Sequence, residues 1–149
     1  MSERWLVLLV EDNPADADLT RETLGNSPRG IDLEVAVSGT EAVDYVQRRG
    51  RFATSPRPDL VLLDLNLPGV DGKEVLKEIK QHAETSKVPV TVLTSSTSDK
   101  DVIQSYALGA NCYIVKPLDF KNFEVAIQAV EEFWFSVVRL PPTNEERER

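Results

Sequence analysis

Several short apolar runs in the sequence end at a side chain that can bind phosphate or a divalent cation. The residues at these run ends are Glu11 and Asp12, Asp64, Thr94, and Lys116. In a parallel α/β sheet the carboxyl ends of the strands lie along one edge, and ligands bind at that edge. Residues as far apart in the sequence as Glu11 and Lys116 would then meet in one cleft.

The acidic residues of this set predict a site for a hard cation. Glu11, Asp12 and Asp64 would repel one another if they were crowded together without a compensating charge. Oxygen ligands without His or Cys suit Mg²⁺, which accepts one or two carboxylates and keeps some of its waters. An alternative for Glu11 and Asp12 is that they only cap the helix expected to begin near Pro14. Asp64 directly follows four aliphatic residues, which is hard to explain for a solvated charge.

Lys116 and Thr94 add groups that can contact a phosphoryl group. The stem of Lys116 would be buried behind a strand, with its ammonium facing the same cleft, although a lysine there can also extend to solvent. Thr94 can donate a hydrogen bond from its hydroxyl, although threonine is also common in strands for packing reasons alone.

Alternating strand and helix patterns predict an α/β domain that could position these residues. Strands are expected at 5–10, 31–37, 59–63, 90–93 and 112–115. Helices are expected at 14–26, from Ser38, at 71–81, at 99–108 and at 119–137. Right-handed crossovers would place the helices on both faces of the sheet.

Composition limits the class of protein. A chain of 149 residues is expected to form one domain. A net charge of −8 argues against nonspecific binding to nucleic acid or to an anionic membrane. The single Cys112 excludes an internal disulfide. No signal peptide or membrane-spanning run is evident, so we expect a cytoplasmic protein with neither nucleic acid nor membrane as partner.

Longer motifs surround the candidate residues. They are Leu-Val-Glu11-Asp12, Leu-Leu-Asp64-Leu-Asn66-Leu-Pro68-Gly69-Val-Asp71-Gly72, Pro89-Val-Thr-Val-Leu-Thr94-Ser95 and Gly109-Ala-Asn-Cys-Tyr113-Ile-Val-Lys116-Pro117. Together they resemble the receiver domain of bacterial response regulators. The resemblance implies a flavodoxin-like (βα)5 fold, a doubly wound parallel sheet of strand order 2-1-3-4-5 with an extended last helix. It also implies a phosphorylation switch and not a metabolic enzyme.

The resemblance implies roles for the acidic residues. Asp64 would accept a phosphoryl group from a phosphohistidine of a partner sensor histidine kinase. Asp12 and Asp64 would bind Mg²⁺ through their carboxylates, Asn66 through its backbone carbonyl, and Glu11 through a water.

Roles for the remaining motif residues are also implied. Thr94 and Lys116 would contact phosphoryl oxygens, and the bond before Pro117 would be cis. Tyr113 would turn inward as Thr94 moves toward the phosphoryl group. The alternative for Tyr113 is a strand aromatic that never moves.

Two segments narrow the resemblance to one group of response regulators. The connection 48–58 and the end of the last helix resemble small stand-alone regulators associated with phytochrome-type histidine kinases. This implies a red/far-red photoreceptor kinase, similar to a bacteriophytochrome, as the phosphoryl donor.

The last helix also predicts self-association. Its apolar stripe, expected to face the sheet, is Phe120, Phe123, Ile127, Val130, Trp134 and Val137. Apolar residues beyond the stripe predict a homodimer built on the fourth helix, the fifth strand and the last helix. The expected dimer contacts are Phe133, Trp134, Phe135, Val138 and Leu140. We expect a receiver domain at 5–137, then an extension and frayed tail at 138–149, with no output domain.

Two further functions compete with the switch. A Mg²⁺-dependent phosphatase of the haloacid dehalogenase type also uses a strand-end aspartate, but it needs a second aspartate two residues later. Asn66 stands there and cannot transfer a proton in that role. A receiver-like binding module that takes no phosphate is the other alternative. We expect no enzyme activity beyond self-catalysed phosphorylation and dephosphorylation.

Overall fold

A computed structural model describes residues 4–142 of the chain. Strands and helices alternate: β1 (Trp5–Val10), α1 (Pro14–Gly25), β2 (Ile31–Ala36), α2 (Gly39–Gln47), β3 (Leu60–Leu63), α3 (Gly72–Gln81), β4 (Val90–Thr94), α4 (Asp99–Ala107), β5 (Cys112–Val115) and α5 (Phe120–Glu132). A single 3₁₀ turn, Gly50–Phe52, follows α2. All strand pairs are parallel and the order is β2-β1-β3-β4-β5, which confirms the predicted fold.

Both faces of the sheet are covered, as the continuous apolar strands require. Successive residues of β1 alternate between the two cores because side chains along a strand point to opposite faces. Leu8 and Val10 pack with residues of α2 and α3. Val7 and Leu9 pack on the other face with residues of α1 and α5. No helix within residues 4–142 is long and apolar enough to span a bilayer.

Each α-helix begins at a polar side chain that accepts a hydrogen bond from a backbone N–H of its first turn. These capping residues are Asn13, Ser38, Asp71, Ser98 and Asp119. Such caps satisfy N–H groups that have no partner within the helix. Because each cap stands in the loop that follows a strand, the caps also shape the loops at the carboxyl edge of the sheet.

The end of the last helix differs from the prediction of one α-helix to residue 137. The α-helix ends at Glu132 and continues as a π-helical turn over Phe133–Val137, here called the π segment. Nε1 of Trp134 donates a hydrogen bond to Thr91 Oγ1 at 3.0 Å. The ring of Phe135 stacks on Trp5 with 5.1 Å between centroids. Trp134 and Phe135 therefore pack largely on their own chain.

The two ends of the predicted apolar stripe are exposed. Phe120 is 75% exposed, because it is the first residue of α5 and lies beyond the end of β5. Val137 is 67% exposed. The middle of the stripe, Phe123, Ile127 and Val130, is buried against the sheet. The expected frayed tail lies partly outside the described residues, which end at 142.

Candidate functional site

The parallel sheet brings the predicted site residues to one edge. Val10 of β1 pairs with Leu63 of β3, so the acids that follow these strands are neighbours. Thr94 pairs with Val115, and the N–H of Lys116 donates to the carbonyl of Thr94 at 2.7 Å. Long-range strand pairing therefore collects residues from four strands.

The ammonium of Lys116 lies among three carboxylates. Its Nζ donates to Asp64 Oδ2 at 2.8 Å and to Asp16 Oδ2 at 2.8 Å. It also lies 2.7 Å from Glu11 Oε1. The side chain of Lys116 is only 10% exposed, so these contacts are made largely out of water. The site thus contains a cation held directly against the carboxylate of Asp64.

Three carboxylates have the spacing needed for a divalent cation. Oxygens of Glu11, Asp12 and Asp64 all lie within 4.8 Å of one another. Glu11 and Asp64 are buried, whereas Asp12 is exposed. The cluster borders a cleft of about 500 Å³ lined by Asp12, Leu65, Asn66, Leu67, Pro68, Asp71, Lys73 and Asp101. Hard oxygen donors open to solvent on one side match the requirements of Mg²⁺, which keeps part of its water shell.

Burial and hydrogen bonding set the charges of these acids. Burial raises the pKa of Glu11 to about 7, because it outweighs the hydrogen bond from Lys116. Burial acts in the same direction on Asp64, but hydrogen bonds from Lys116 and from the N–H of Asn66 hold the pKa of Asp64 below its ordinary value. Asp64 is therefore the more acidic member of the buried pair, because it receives hydrogen bonds from both Lys116 and Asn66.

The pKa of Lys116 is shifted in the opposite direction from that expected for a buried lysine. Burial alone would lower it, but hydrogen bonds to Asp16, Asp64 and Glu11 raise the pKa of Lys116 above its ordinary value. The ammonium is therefore charged throughout the neutral range, and it can neutralise negative charge that develops at Asp64.

Thr94 and Tyr113 both contact the loop between β4 and α4. Thr94 is fully buried, and its Oγ1 accepts a hydrogen bond from the N–H of Ser96 at 3.4 Å. The hydroxyl of Tyr113 donates to the carbonyl of Ser96 at 3.0 Å. Any displacement of this loop would therefore act on both residues.

The structure adds polar residues that the sequence analysis did not identify. Asp16 contacts Lys116, but an acid in the first turn of a helix is usually explained by the helix dipole, so no signal set it apart. Two of the residues that line the cleft form an ion pair: Nζ of Lys73 donates to Asp101 and also to Gln104, and Ser96 Oγ donates to Asp101. These bonds hold the pKa of Asp101 below its ordinary value, the one from Lys73 most strongly. They join α3 to α4 beside the site.

The prediction of a cis bond before Pro117 is wrong for this structure. The peptide bonds of residues 4–142 contain no cis bond, so Lys116 and Pro117 are joined in trans. The trans form of such a bond is favoured intrinsically by ~0.5–1 kcal/mol. Lys116 reaches Asp64 in the trans form, so its approach does not require the cis isomer.

Comparison with known proteins agrees with the geometry. Residues 7–128 match the family model for the response regulator receiver domain. The chain is 45% identical to the response regulator Rcp1 of Synechocystis sp. over 136 residues, which cover 91% of this chain and 92% of the relative.

Solved structures of similar proteins share the whole fold. The phosphorylated cyanobacterial phytochrome response regulator RcpA superposes with a TM-score of 0.91 at 41% identity, covering 94% of this chain and all (100%) of the relative. The Mn²⁺-bound form of Rcp1 gives a TM-score of 0.89 at 44% identity, covering 93% and 99%. The bacteriophytochrome response regulator RtBRR gives 0.72 at 38% identity, covering 98% and 88%.

The family model covers most of the sheet and its helices, and it includes the strand-end acids, the buried hydroxyl and the lysine that meet at one edge. Relatives of similar length match nearly the full chain. With this site on this fold, the chain belongs to the response regulator receiver domain family.

Proposed function

We propose that this chain is a single-domain response regulator whose Asp64 accepts a phosphoryl group from a partner histidine kinase. The main support is the contact between the buried carboxylate of Asp64 and the ammonium of Lys116 at 2.8 Å. A carboxylate held beside a fixed cation, next to an open cleft, is a suitable acceptor for an anionic group.

The transfer step replaces one bond to phosphorus by another. An oxygen of Asp64 forms a bond to the phosphorus of the phosphohistidine, and the bond between phosphorus and the imidazole nitrogen breaks. The electron pair of that bond stays on the imidazole. The ammonium of Lys116 offsets negative charge on the phosphoryl oxygens, and the N–H of Asn66 holds Asp64 in place from the other oxygen.

The same site would hold Mg²⁺ through the carboxylates of Asp12 and Asp64, the backbone carbonyl of Asn66 and, through a water, Glu11. The close approach of the three carboxylates and the Mn²⁺-bound form of the relative Rcp1 support this ligand set. When bound, the cation supplies positive charge to the phosphoryl oxygens. We expect Asp12→Ala to abolish tight Mg²⁺ binding, since the exposed member of the cluster is then lost; unchanged affinity would contradict the ligand set.

Phosphorylation would signal through the loop after β4. The new dianionic group would attract the hydroxyl of Thr94 and the ammonium of Lys116. Movement of Thr94 would pull on Ser96, which Tyr113 also contacts. We therefore assign Tyr113 the role of reporting the state of the loop to the surface of α4 and β5.

Phosphorylation by a small-molecule donor tests the acceptor. The chain is incubated with phosphoramidate and Mg²⁺ and its intact mass is measured. We expect the addition of one phosphoryl group, and no addition in Asp64→Asn. Equal modification of wild type and Asp64→Asn would contradict the assignment, and absence of modification in both would favour a binding module that takes no phosphate.

The donor that we propose is a phytochrome-type histidine kinase. The support is the similarity to RcpA and RtBRR, which are named as phytochrome and bacteriophytochrome response regulators. Labelled phosphoryl transfer from such a kinase should be faster than transfer from an unrelated histidine kinase at equal concentration. Equal rates would contradict this pairing. We also propose that the chain acts in the cytoplasm, which fractionation of cells that produce the tagged chain would test.

We further propose that two copies associate through α4, β5 and the last helix. Exposed apolar side chains on these elements support this: Ile103, Tyr106, Val115, Val125, Phe133 and Val137. Of the dimer contacts expected from the sequence, Phe133 is 42% exposed, while Val138 and Leu140 are partly buried. Trp134 and Phe135 contribute less than expected, because they pack on their own chain.

Light scattering tests the dimer. Wild type should have twice the monomer mass at roughly tens of micromolar, and Val125→Lys on α5 should be monomeric because a charge would be buried in the interface. Val37→Lys is the control, since Val37 follows β2 at the opposite edge of the sheet and is equally exposed, at 54% against 51%. A monomeric wild type, or equal effects of the two variants, would contradict the proposed interface.

We propose that the chain is a switch that does not turn over external phosphoesters. Asn66, two residues after Asp64, has an amide that cannot exchange a proton as an acid or base would. Sustained hydrolysis of p-nitrophenyl phosphate, abolished in Asp64→Asn, would overturn this and indicate a phosphatase.

We place the receiver unit at 5–137 and the extension at 138–149.

A further inference from the structure

The carboxylate of Asp16 contacts Lys116 but is separate from the acids that could hold a metal ion. Nζ of Lys116 donates to Asp16 Oδ2 at 2.8 Å. In the described part of the chain, the acids whose oxygens group closely enough for one cation are Glu11, Asp12 and Asp64. Asp16 is thus a partner of the ammonium and lies outside the metal cluster.

The backbone of Asp16 is held on both sides. Its N–H donates to Asn13 Oδ1 at 3.1 Å, and its carbonyl accepts from Thr20 Oγ1 at 2.8 Å. The side chain is 28% exposed. The backbone of Asp16 is therefore fixed in the first turn of α1, and the hydrogen bond from Lys116 holds its side chain beside the site.

The ammonium of Lys116 contacts carboxylates that a bound divalent cation would also use. The ammonium of Lys116 donates to Asp16 and Asp64 and forms an ion pair with Glu11 at 2.7 Å, so it faces an acceptor for each of its three N–H groups. Two of these acceptors, Glu11 and Asp64, also belong to the metal cluster. A divalent cation and the ammonium therefore compete for the same carboxylates, and Asp16 is the acceptor for which they do not compete.

We propose that Asp16 is a positioning residue that retains the ammonium of Lys116 while a divalent cation occupies Glu11, Asp12 and Asp64, so that both positive charges fit in the site together. The inference rests on the proposed function and adds a residue to it. When Asp64 carries a phosphoryl group, Asp16 keeps the ammonium in place as one N–H turns to a phosphoryl oxygen.

The affinity of the unphosphorylated chain for Mn²⁺ tests this role. Asp16→Asn preserves the shape of the side chain and removes its charge, so the ammonium shifts its interactions toward Glu11 and Asp64. Free Mn²⁺, measured by electron paramagnetic resonance, should then show binding weakened by about threefold to tenfold, a normal coupling for residues in one network. Asp16→Glu retains the charge and should keep most of the affinity.

A matched control distinguishes the effect of removing the acid at position 16 from the effect of changing the net charge. Asp18 is an exposed acid two residues later on the same helix, so Asp18→Asn changes the net charge equally. It should leave Mn²⁺ affinity nearly unchanged. Equal weakening in Asp16→Asn and Asp18→Asn, or no weakening in Asp16→Asn, would overturn the proposal.

Removal of the lysine shows whether Asp16 acts through it. In a Lys116→Met background the competing ammonium is absent, so Asp16→Asn should weaken Mn²⁺ binding no more than Asp18→Asn does. The same weakening with and without Lys116 would overturn the positioning role. If wild type itself did not bind Mn²⁺, the proposed metal site would be wrong; normal binding by wild type with an unaffected Asp16→Asn would contradict the role of Asp16 alone.

Discussion

At the scale of single residues, partners determine how burial affects a charged group. Lys116 and Lys80 are both partly buried lysines. Burial alone lowers the pKa of Lys80, and its ammonium donates to Val88 O and Asn111 Oδ1, which are neutral and supply no compensating negative charge. The pKa of Lys116 is raised, because its acceptors are carboxylates. Lys80 thus makes hydrogen bonds to neutral groups, whereas Lys116 is a cation held in place by carboxylates.

Tyr45 provides a prediction at this scale. Burial, with a smaller effect of Glu34, raises the pKa of Tyr45 to about 12, and its hydroxyl donates to the carbonyl of Pro56 at 2.8 Å. In an ultraviolet titration, one of the three tyrosines should ionise near pH 12, later than the ordinary value of about 10. This late component should be absent from Tyr45→Phe.

The same shift has a consequence for stability. Because the folded-state pKa of Tyr45 is above that of the unfolded chain, its contribution to the free energy of unfolding is complete below about pH 10 and is lost as pH rises toward about 12. Tyr45→Phe should lose less unfolding free energy over this range in urea titrations. If all tyrosines ionised together near pH 10, the result would contradict the burial of the Tyr45 hydroxyl.

At the scale of elements, glycines allow the loop after β3 to pack closely against two helices. A Cβ at Gly72, the first residue of α3, would lie 2.4 Å from Leu65 Cα and 2.6 Å from Asp64 O. A Cβ at Gly39, the first residue of α2, would lie 1.6 Å from Val70 O. The backbone next to Asp64 is therefore positioned by contacts that leave no space for a side chain.

Gly72→Ala should consequently affect both stability and the site. We expect the free energy of unfolding to fall by about 1–3 kcal/mol, as for other overpacked positions. Phosphorylation of Asp64 by phosphoramidate should be slower, because the backbone of Asp64 must move. Urea unfolding and intact mass measure the two effects.

Gly25→Ala is the control for this change. Gly25 is the last residue of α1, and a Cβ there would have nothing within 4 Å. The variant should be as stable as wild type or more stable by up to about 1 kcal/mol, since alanine favours a helix. Equal losses in Gly72→Ala and Gly25→Ala would show that close packing at Gly72 is not the cause.

At the scale of the whole molecule, the last helix is attached to the connection between α1 and β2. Glu131 near the end of α5 accepts hydrogen bonds from Arg29 and from Ser27, both in the connection between α1 and β2. Arg29 also contacts Glu132 and Ser136. Together with the stacking of Phe135 on Trp5, these contacts fix the π segment on the side of the sheet opposite to α2 and α3.

Arg29→Met should destabilise the chain, because the Glu131 side chain is only 8% exposed and would lose its cation. We expect a loss of about 1–3 kcal/mol in the free energy of unfolding. Arg4→Met is the control, since Arg4 pairs with Asp32 where both side chains are 56% exposed, and it should leave stability nearly unchanged. Similar losses in both variants would show that burial of Glu131 does not make the difference.

The amino-acid sequence alone was enough to predict the order of elements, the parallel sheet and the edge at which the site lies. The reason is local: apolar runs such as Leu60–Leu63 form buried strands, and caps such as Ser38 begin helices wherever they occur. Asp64 and Lys116 were identifiable because each directly follows an apolar run, and the end of a buried parallel strand is where ligands bind.

The tertiary structure was needed to determine which groups share a partner. That Asp16 joins Glu11 and Asp64 around Lys116 depends on where α1 lies relative to β5, and no pattern along the chain encodes that distance. Likewise, Trp134 was expected both in the stripe that faces the sheet and at a dimer contact, and its hydrogen bond to Thr91 of β4 agrees with the first of these expectations. Periodicity predicts which face of a helix is apolar, whereas the surface that the face meets is set by packing across the whole chain.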